Sequence, residues 1–183
     1  MQIDDLRAIL PVPPSPVETH SRTWLAVEQE VSTRLPDDYK AFIEQYGSGR
    51  ISEFIWVLNP FASNQFINLG RQIVDRLGAL EALARDFGEQ CPYPLFPQSG
   101  GLLPFAVTDN GDVLYWITNG DPNVWRVVVN QARGPKYEEF TLNATDFLTG
   151  ILTHSVNCTV FPRGLQEVVA RFEPVHATGS GGA

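Results

Sequence analysis

The chain has 183 residues, a formal net charge of −8 and 43% hydrophobic residues. That length and composition suit one globular domain with a real core and exclude a disordered chain. The acidic balance argues against nonspecific nucleic-acid binding, which needs basic surface to displace counterions from phosphate; it is compatible with a basic protein partner, although solubility alone explains such a charge more simply.

Cys91 and Cys158 make neither a disulfide framework nor a complete metal site. The opening MQIDDLRAIL lacks the basic and long apolar segments of a signal peptide, and no apolar run is long enough to cross a bilayer. The expectation is a cytoplasmic protein with reduced thiols, no membrane span and no nucleic-acid partner.

In chain order, Met1 to Leu10 suits a short helical turn, and Pro11-Val12-Pro13-Pro14-Ser15-Pro16 forbids helix and predicts an extended connector. Residues 1–18 are thus expected to form an arm ahead of a domain over 19–175. Thr19 to Thr33 is a predicted helix with Trp24, Val27 and Val31 at helical spacing. Leu35-Pro36-Asp37-Asp38 starts a second, because proline suits a first turn and aspartates complement the positive end of the helix dipole. Tyr39, Phe42, Ile43 and Tyr46 form its apolar stripe, and Gly47-Ser48-Gly49 ends it.

Ile51 to Leu58 has β composition with apolar residues on both faces and predicts one buried strand. From Gln65 to Phe87 the series Phe66, Leu69, Ile73, Leu77, Leu80, Ala84, Phe87 predicts a long amphipathic helix, weakened by Gly70 and Gly78. Cys91 to Gly101, with three prolines, is a loop.

Leu102 to Leu142 carries the strongest pattern: four aromatic and β-branched runs separated by three turn signals. Asn110-Gly111 predicts a two-residue type I′ hairpin turn with positive φ at both positions. Asn119 to Asn123 and Arg133 to Lys136 supply the other two turns. The block predicts an antiparallel meander. Asn143 then caps a helix with Phe147, Leu148, Ile151 and Leu152 inward. Val156 to Phe161 is predicted extended, Leu165 to Phe172 a weak helix, and His176 to Ala183 a disordered tail. The fold class is α+β: a single domain with a mainly antiparallel sheet and helices packed against it.

Complete chemistry is missing. There is no G-x-S-x-G elbow, H-E-x-x-H, Walker loop or dinucleotide fingerprint, so no catalytic residue, cofactor or metal is assigned. Asp109, Asp112 and Asp121 flank glycine turns but lack the ligand alternation of a calcium loop, so turn formation explains them more simply. They remain the first choice for docking a basic partner, with Asp37, Asp38 and Glu44 second. His154 and Cys158 would share a face only if their helix continued, and Ser155-Val156-Asn157 predicts that it stops. A hydrolase built on that pair or on the aspartates lacks an orienting group and an oxyanion site.

Leu35-Pro36-Asp37-Asp38-Tyr39-Lys40-Ala41-Phe42 followed by Tyr46-Gly47-Ser48-Gly49 resembles the opening motif of the SUKH superfamily. Leu103-Pro104-Phe105-Ala106, Thr108-Asp109-Asn110-Gly111-Asp112, Trp116, Gly120-Asp121-Pro122 and Phe147-Leu148 continue it in order, from about Trp24 to Leu152. The resemblance implies helices on an antiparallel sheet, motif residues that are mainly structural, and no enzymatic activity. It also implies an immunity protein that neutralises a cognate polymorphic or contact-dependent toxin domain, of nuclease or deaminase type. The alternative it carries is a regulatory or scaffold module with several weaker partners, like the fungal members. Neither sequence nor resemblance assigns an oligomeric state.

Overall fold

A computed structural model describes residues 3–175. Five helices flank one seven-stranded antiparallel sheet: α1 (Ile3–Ile9), α2 (Trp24–Val31), α3 (Asp37–Tyr46), β1 (Gly49–Ile51), β2 (Ile55–Val57), α4 (Leu69–Phe87), β3 (Gly101–Thr108), β4 (Val113–Thr118), β5 (Arg126–Asn130), β6 (Tyr137–Phe140), α5 (Ala144–Leu152) and β7 (Phe172–Pro174). The strand order is β6-β5-β4-β3-β2-β1-β7. The α+β class and the meander are as the sequence predicts. The predicted tail, 176–183, lies outside the described residues.

Strand alternation sorts the helices onto two faces. Leu114 and Trp116 of β4 face α3 and α5: Tyr39 meets the Trp116 ring edge-on at 5.0 Å, and Phe105 stacks on it at 4.8 Å. Val113 and Tyr115 face the other way, toward α4, with whose Arg76 and Leu80 they line a common cleft. Asn68 caps α4 by accepting the Arg71 N–H, and Asn143 caps α5 by accepting the Asp146 N–H. α1 packs on α5 and α3. Leu6 and Leu10 are fully buried, and the Tyr46 hydroxyl donates to the Leu10 carbonyl at 2.6 Å.

Several elements differ from expectation. The predicted strand 51–58 is a hairpin, because Ser52 and Glu53 both take positive φ and reverse the chain between β1 and β2. At Asn110-Gly111 only the glycine has positive φ. The turn is a three-residue loop closed by the Gly111 N–H on the Thr108 carbonyl, with glycine in the left-handed bulge position. α2 starts at Trp24, capped by Thr23, and α4 starts at Leu69; Phe66 and Phe87, placed inward by periodicity, are 69% and 75% exposed.

Residues 156–161 form turns rather than a strand. The weak helix over 165–172 is instead a short 3-10 turn, Arg163–Glu167, followed by β7. β7 exists because Phe172 packs against Tyr46 at 5.2 Å and Phe42 at 6.1 Å. Gly49 is needed opposite: a Cβ there would lie 2.4 Å from the Phe172 ring.

Candidate functional site

A meander reverses at every turn, so consecutive tips lie at opposite ends of the sheet. Asp109 and Asp112 occupy the β3–β4 turn and Asp121 follows β4, whose six residues separate them by about 20 Å. The three aspartates expected to act together therefore form no single patch.

Asp112 is also not a surface group. It is 3% exposed, and its carboxylate accepts from the Thr108 hydroxyl and the Ala132 N–H, both at 2.9 Å. It ties the β3–β4 turn to the β5–β6 turn, which is a folding role.

Asp109 belongs to a cluster that the single-strand reading of 51–58 concealed. Arg50 on β1 faces Trp56 on β2 and Glu173 on β7 as direct cross-strand partners. Trp56 Nε1 donates to Asp109 at 2.6 Å, and Arg50 bonds Asp109 at 3.2 Å and Glu173 at 2.9 Å. The Arg50 guanidinium lies 5.5 Å over the Trp56 ring. Glu173 first, and Asp109 with it, hold the Arg50 pKa above its ordinary value against the opposing effect of burial. Trp56 is half-exposed, whereas Trp116 and Trp125 are buried.

The opposite end joins residues from both predicted sets. Asp121 accepts the Asn123 N–H and starts a 3-10 turn, Pro122–Val124. Asn123 in turn accepts the Asp37 N–H at 2.8 Å and donates its amide to the Asp37 carboxylate at 3.0 Å. Asp37 and Asp121 are thus both exposed and both bound to one asparagine. Lys40 lies beside them, 2.9 Å from Asp37 and 3.1 Å from Glu28. That lysine contact, then the Asn123 amide, holds the Asp37 carboxyl below its ordinary pKa.

Asp38 does other work: it accepts the Thr145 N–H and hydroxyl, each at 3.0 Å, at the start of α5. Glu44 is exposed and accepts Trp24 Nε1 at 2.6 Å, which ties α3 to α2.

His154 and Cys158 are not brought together. α5 ends at Leu152, His154 takes positive φ on the surface, and Cys158 is buried 4.0 Å from Glu138. Burial, with that carboxylate nearby, pushes the Cys158 thiol up to about 11, so it is protonated at neutral pH. His20 is exposed, and His176 lies outside the described residues. Among the described residues no group of three His, Cys, Asp or Glu side chains is placed to hold a metal, and no helix is long and apolar enough to cross a membrane.

Two helices, a hairpin, a long helix, a four-stranded meander and a closing helix define an α+β domain of the SUKH kind, and its motif residues Leu35, Tyr39, Phe42, Leu103, Phe105 and Trp116 are all buried. They therefore serve the core, as the resemblance implies. The model of the SMI1 / KNR4 family (SUKH-1) matches residues 19–150, well over half of the chain, and the protein belongs to that family. No curated protein and no solved structure matches it.

Proposed function

We propose that this SUKH-1 domain is an immunity protein that binds and neutralises a cognate toxin domain, presenting carboxylates to a basic surface on that partner. The observation that carries the reading is the joined pair Asp37 and Asp121, two exposed carboxylates on separate elements held by Asn123 at one end of the sheet. A nuclease or deaminase that grips phosphate needs basic residues, and a preordered acidic pair competes for them at little entropic cost. Family membership supports the same reading. The packed arm favours it over a multivalent scaffold, since residues that fold onto α3 and α5 are not free to reach for additional partners.

The test is affinity capture from the source cell, with the captured protein assayed for activity with and without this chain. One stoichiometric partner that loses its activity supports the proposal. Asp37→Asn with Asp121→Asn should then weaken capture by about tenfold or more at low salt and much less at high salt. A partner that stays fully active when bound, or equal capture by the double variant at both salts, rules the proposal out.

A further inference from the structure

The acidic balance of the chain has a local exception. Between α4, strands β4 and β5 and the β5–β6 turn lies a cleft of about 520 Å3 lined by Arg76, Leu80, Cys91, Tyr115, Arg133 and Tyr137. Among the described residues neither arginine forms an ion pair. They stand on different walls, Arg76 on α4 and Arg133 in the turn before β6, and Glu89 is the carboxylate that shares the lining.

Arg76 is positioned from behind. Its Nε donates to Gln72 Oε1 at 3.0 Å, and Gln72, 4% exposed, is itself fixed by donating to the Gln65 carbonyl at 3.1 Å. The Nη groups, which suit a carboxylate or a related oxyanion, meet no acceptor among the described residues.

Tyr115 supplies a second, independent observation. Its ring is buried and it lines the cleft, and its hydroxyl, which keeps access to the cleft, forms no hydrogen bond among the described residues and is free to donate to a ligand there. Burial raises the pKa of both Tyr115 and Tyr137, so each hydroxyl is a neutral donor at pH 7. Leu80, Leu83 and Val113 complete an apolar wall. The volume falls within the range of about 300–1,000 Å3 usual for small-molecule sites, which are mainly apolar with a few placed polar groups.

We propose that this cleft binds a small organic anion, a carboxylate or sulfonate on an aromatic or branched aliphatic body. Arg76 and the Tyr115 hydroxyl hold its charge, and its body lies on Leu80, Leu83 and Val113. The two guanidiniums disfavour a cation, and a bare inorganic anion would leave the apolar wall uncovered. The site lies on the α4 face, away from Asp37 and Asp121, so it stands or falls independently of the immunity reading.

The probe is 8-anilinonaphthalene-1-sulfonate, titrated into the full chain by fluorescence beside its uncharged analogue N-phenyl-1-naphthylamine. The sulfonate should saturate one site and bind about tenfold tighter than the neutral dye. Arg76→Gln should lower sulfonate affinity about fivefold or more while leaving the neutral dye unchanged. Tyr115→Phe, which keeps the ring and therefore the packing, should lower it by about threefold. Bound sulfonate should also slow modification of Cys91 by a thiol reagent, which locates the dye in the cleft. Equal affinity for the two dyes, no effect of Arg76→Gln, or no protection of Cys91 overturns the proposal.

Discussion

Leu10→Ala tests whether the first eighteen residues belong to the domain or merely precede it. Leu10 is 0% exposed, its N–H donates to the Leu6 carbonyl at 2.8 Å, and its carbonyl accepts the Tyr46 hydroxyl at 2.6 Å. Alanine keeps both backbone bonds and removes only the side chain. The expected loss is therefore the transfer and cavity cost of a buried leucine, about 2–5 kcal/mol. Tyr46→Phe does the reverse: it keeps the ring stacked on Phe42 at 4.6 Å and orphans the Leu10 carbonyl, at about 1–3 kcal/mol. Against a typical domain stability of about 5–15 kcal/mol, removing the whole arm should leave little folded protein. Urea unfolding followed by circular dichroism reads both variants. Losses below about 0.5 kcal/mol for both would mean that the arm is a detachable connector, and the reasoning would fail.

Four further outcomes are expected. Glu18 is opposed by burial, but the hydroxyls of Ser48 and Ser63 and the Ser63 N–H outweigh this and hold its carboxyl below the ordinary value. Its contribution to stability is thus complete above about pH 4.3 and is lost as pH falls through the lower folded value, so wild type and Glu18→Gln should converge in urea midpoint between about pH 5 and 3. A thiol reagent at pH 8 should modify half-buried Cys91 first and reach Cys158 only on unfolding; equally fast modification of both would refute the burial argument. Asp112→Ala should destabilise by about 2 kcal/mol in urea, since it removes the acceptor of the Thr108 hydroxyl and the Ala132 N–H. Asn143→Ala should cost about 1 kcal/mol by the same assay, because the Asp146 N–H loses its cap.

Features legible in the sequence were those set by local rules. The α3 stripe, the Asn143 cap and the four meander strands follow from spacing and turn chemistry within a few residues of each position. The missed elements depend on distant partners. Ser52 and Glu53 carry no turn signature, yet they adopt positive φ because β1 pairs with β7 on one side and β2 with β3 on the other. Phe172 lies in a stretch that suits a helix locally. Its strand is selected by Phe42, Tyr46 and the bare edge at Gly49, more than a hundred residues earlier. Phe66 and Phe87 have helical spacing, but α4 begins after the first and reaches past the sheet at the second.

The candidate site was legible residue by residue but not as a grouping, although alternation already contained that grouping. In an up-and-down meander the first and third turns share one end of the sheet and the second lies at the other. The bond from Asp112 to Ala132 is the physical trace of the first pairing, since it crosses from the β3–β4 turn to the β5–β6 turn. The same rule, applied to the order of the turns along the chain, is enough to separate Asp121 from Asp109. It leaves open which other element reaches the second end, and here that is the start of α3, through a contact between Asn123 and Asp37 that spans 86 residues. Local bonding then decides what each carboxylate is free to do. Asp38 is spent on the α5 terminus and Asp112 on two turns, whereas Asp37 and Asp121 each keep exposed carboxylate surface after bonding Asn123. Only acids of the second kind can exchange water for a partner's guanidinium without unmaking the fold, so a partner-binding scan should begin with Asp37 and Asp121 and treat Asp38 and Asp112 as stability controls.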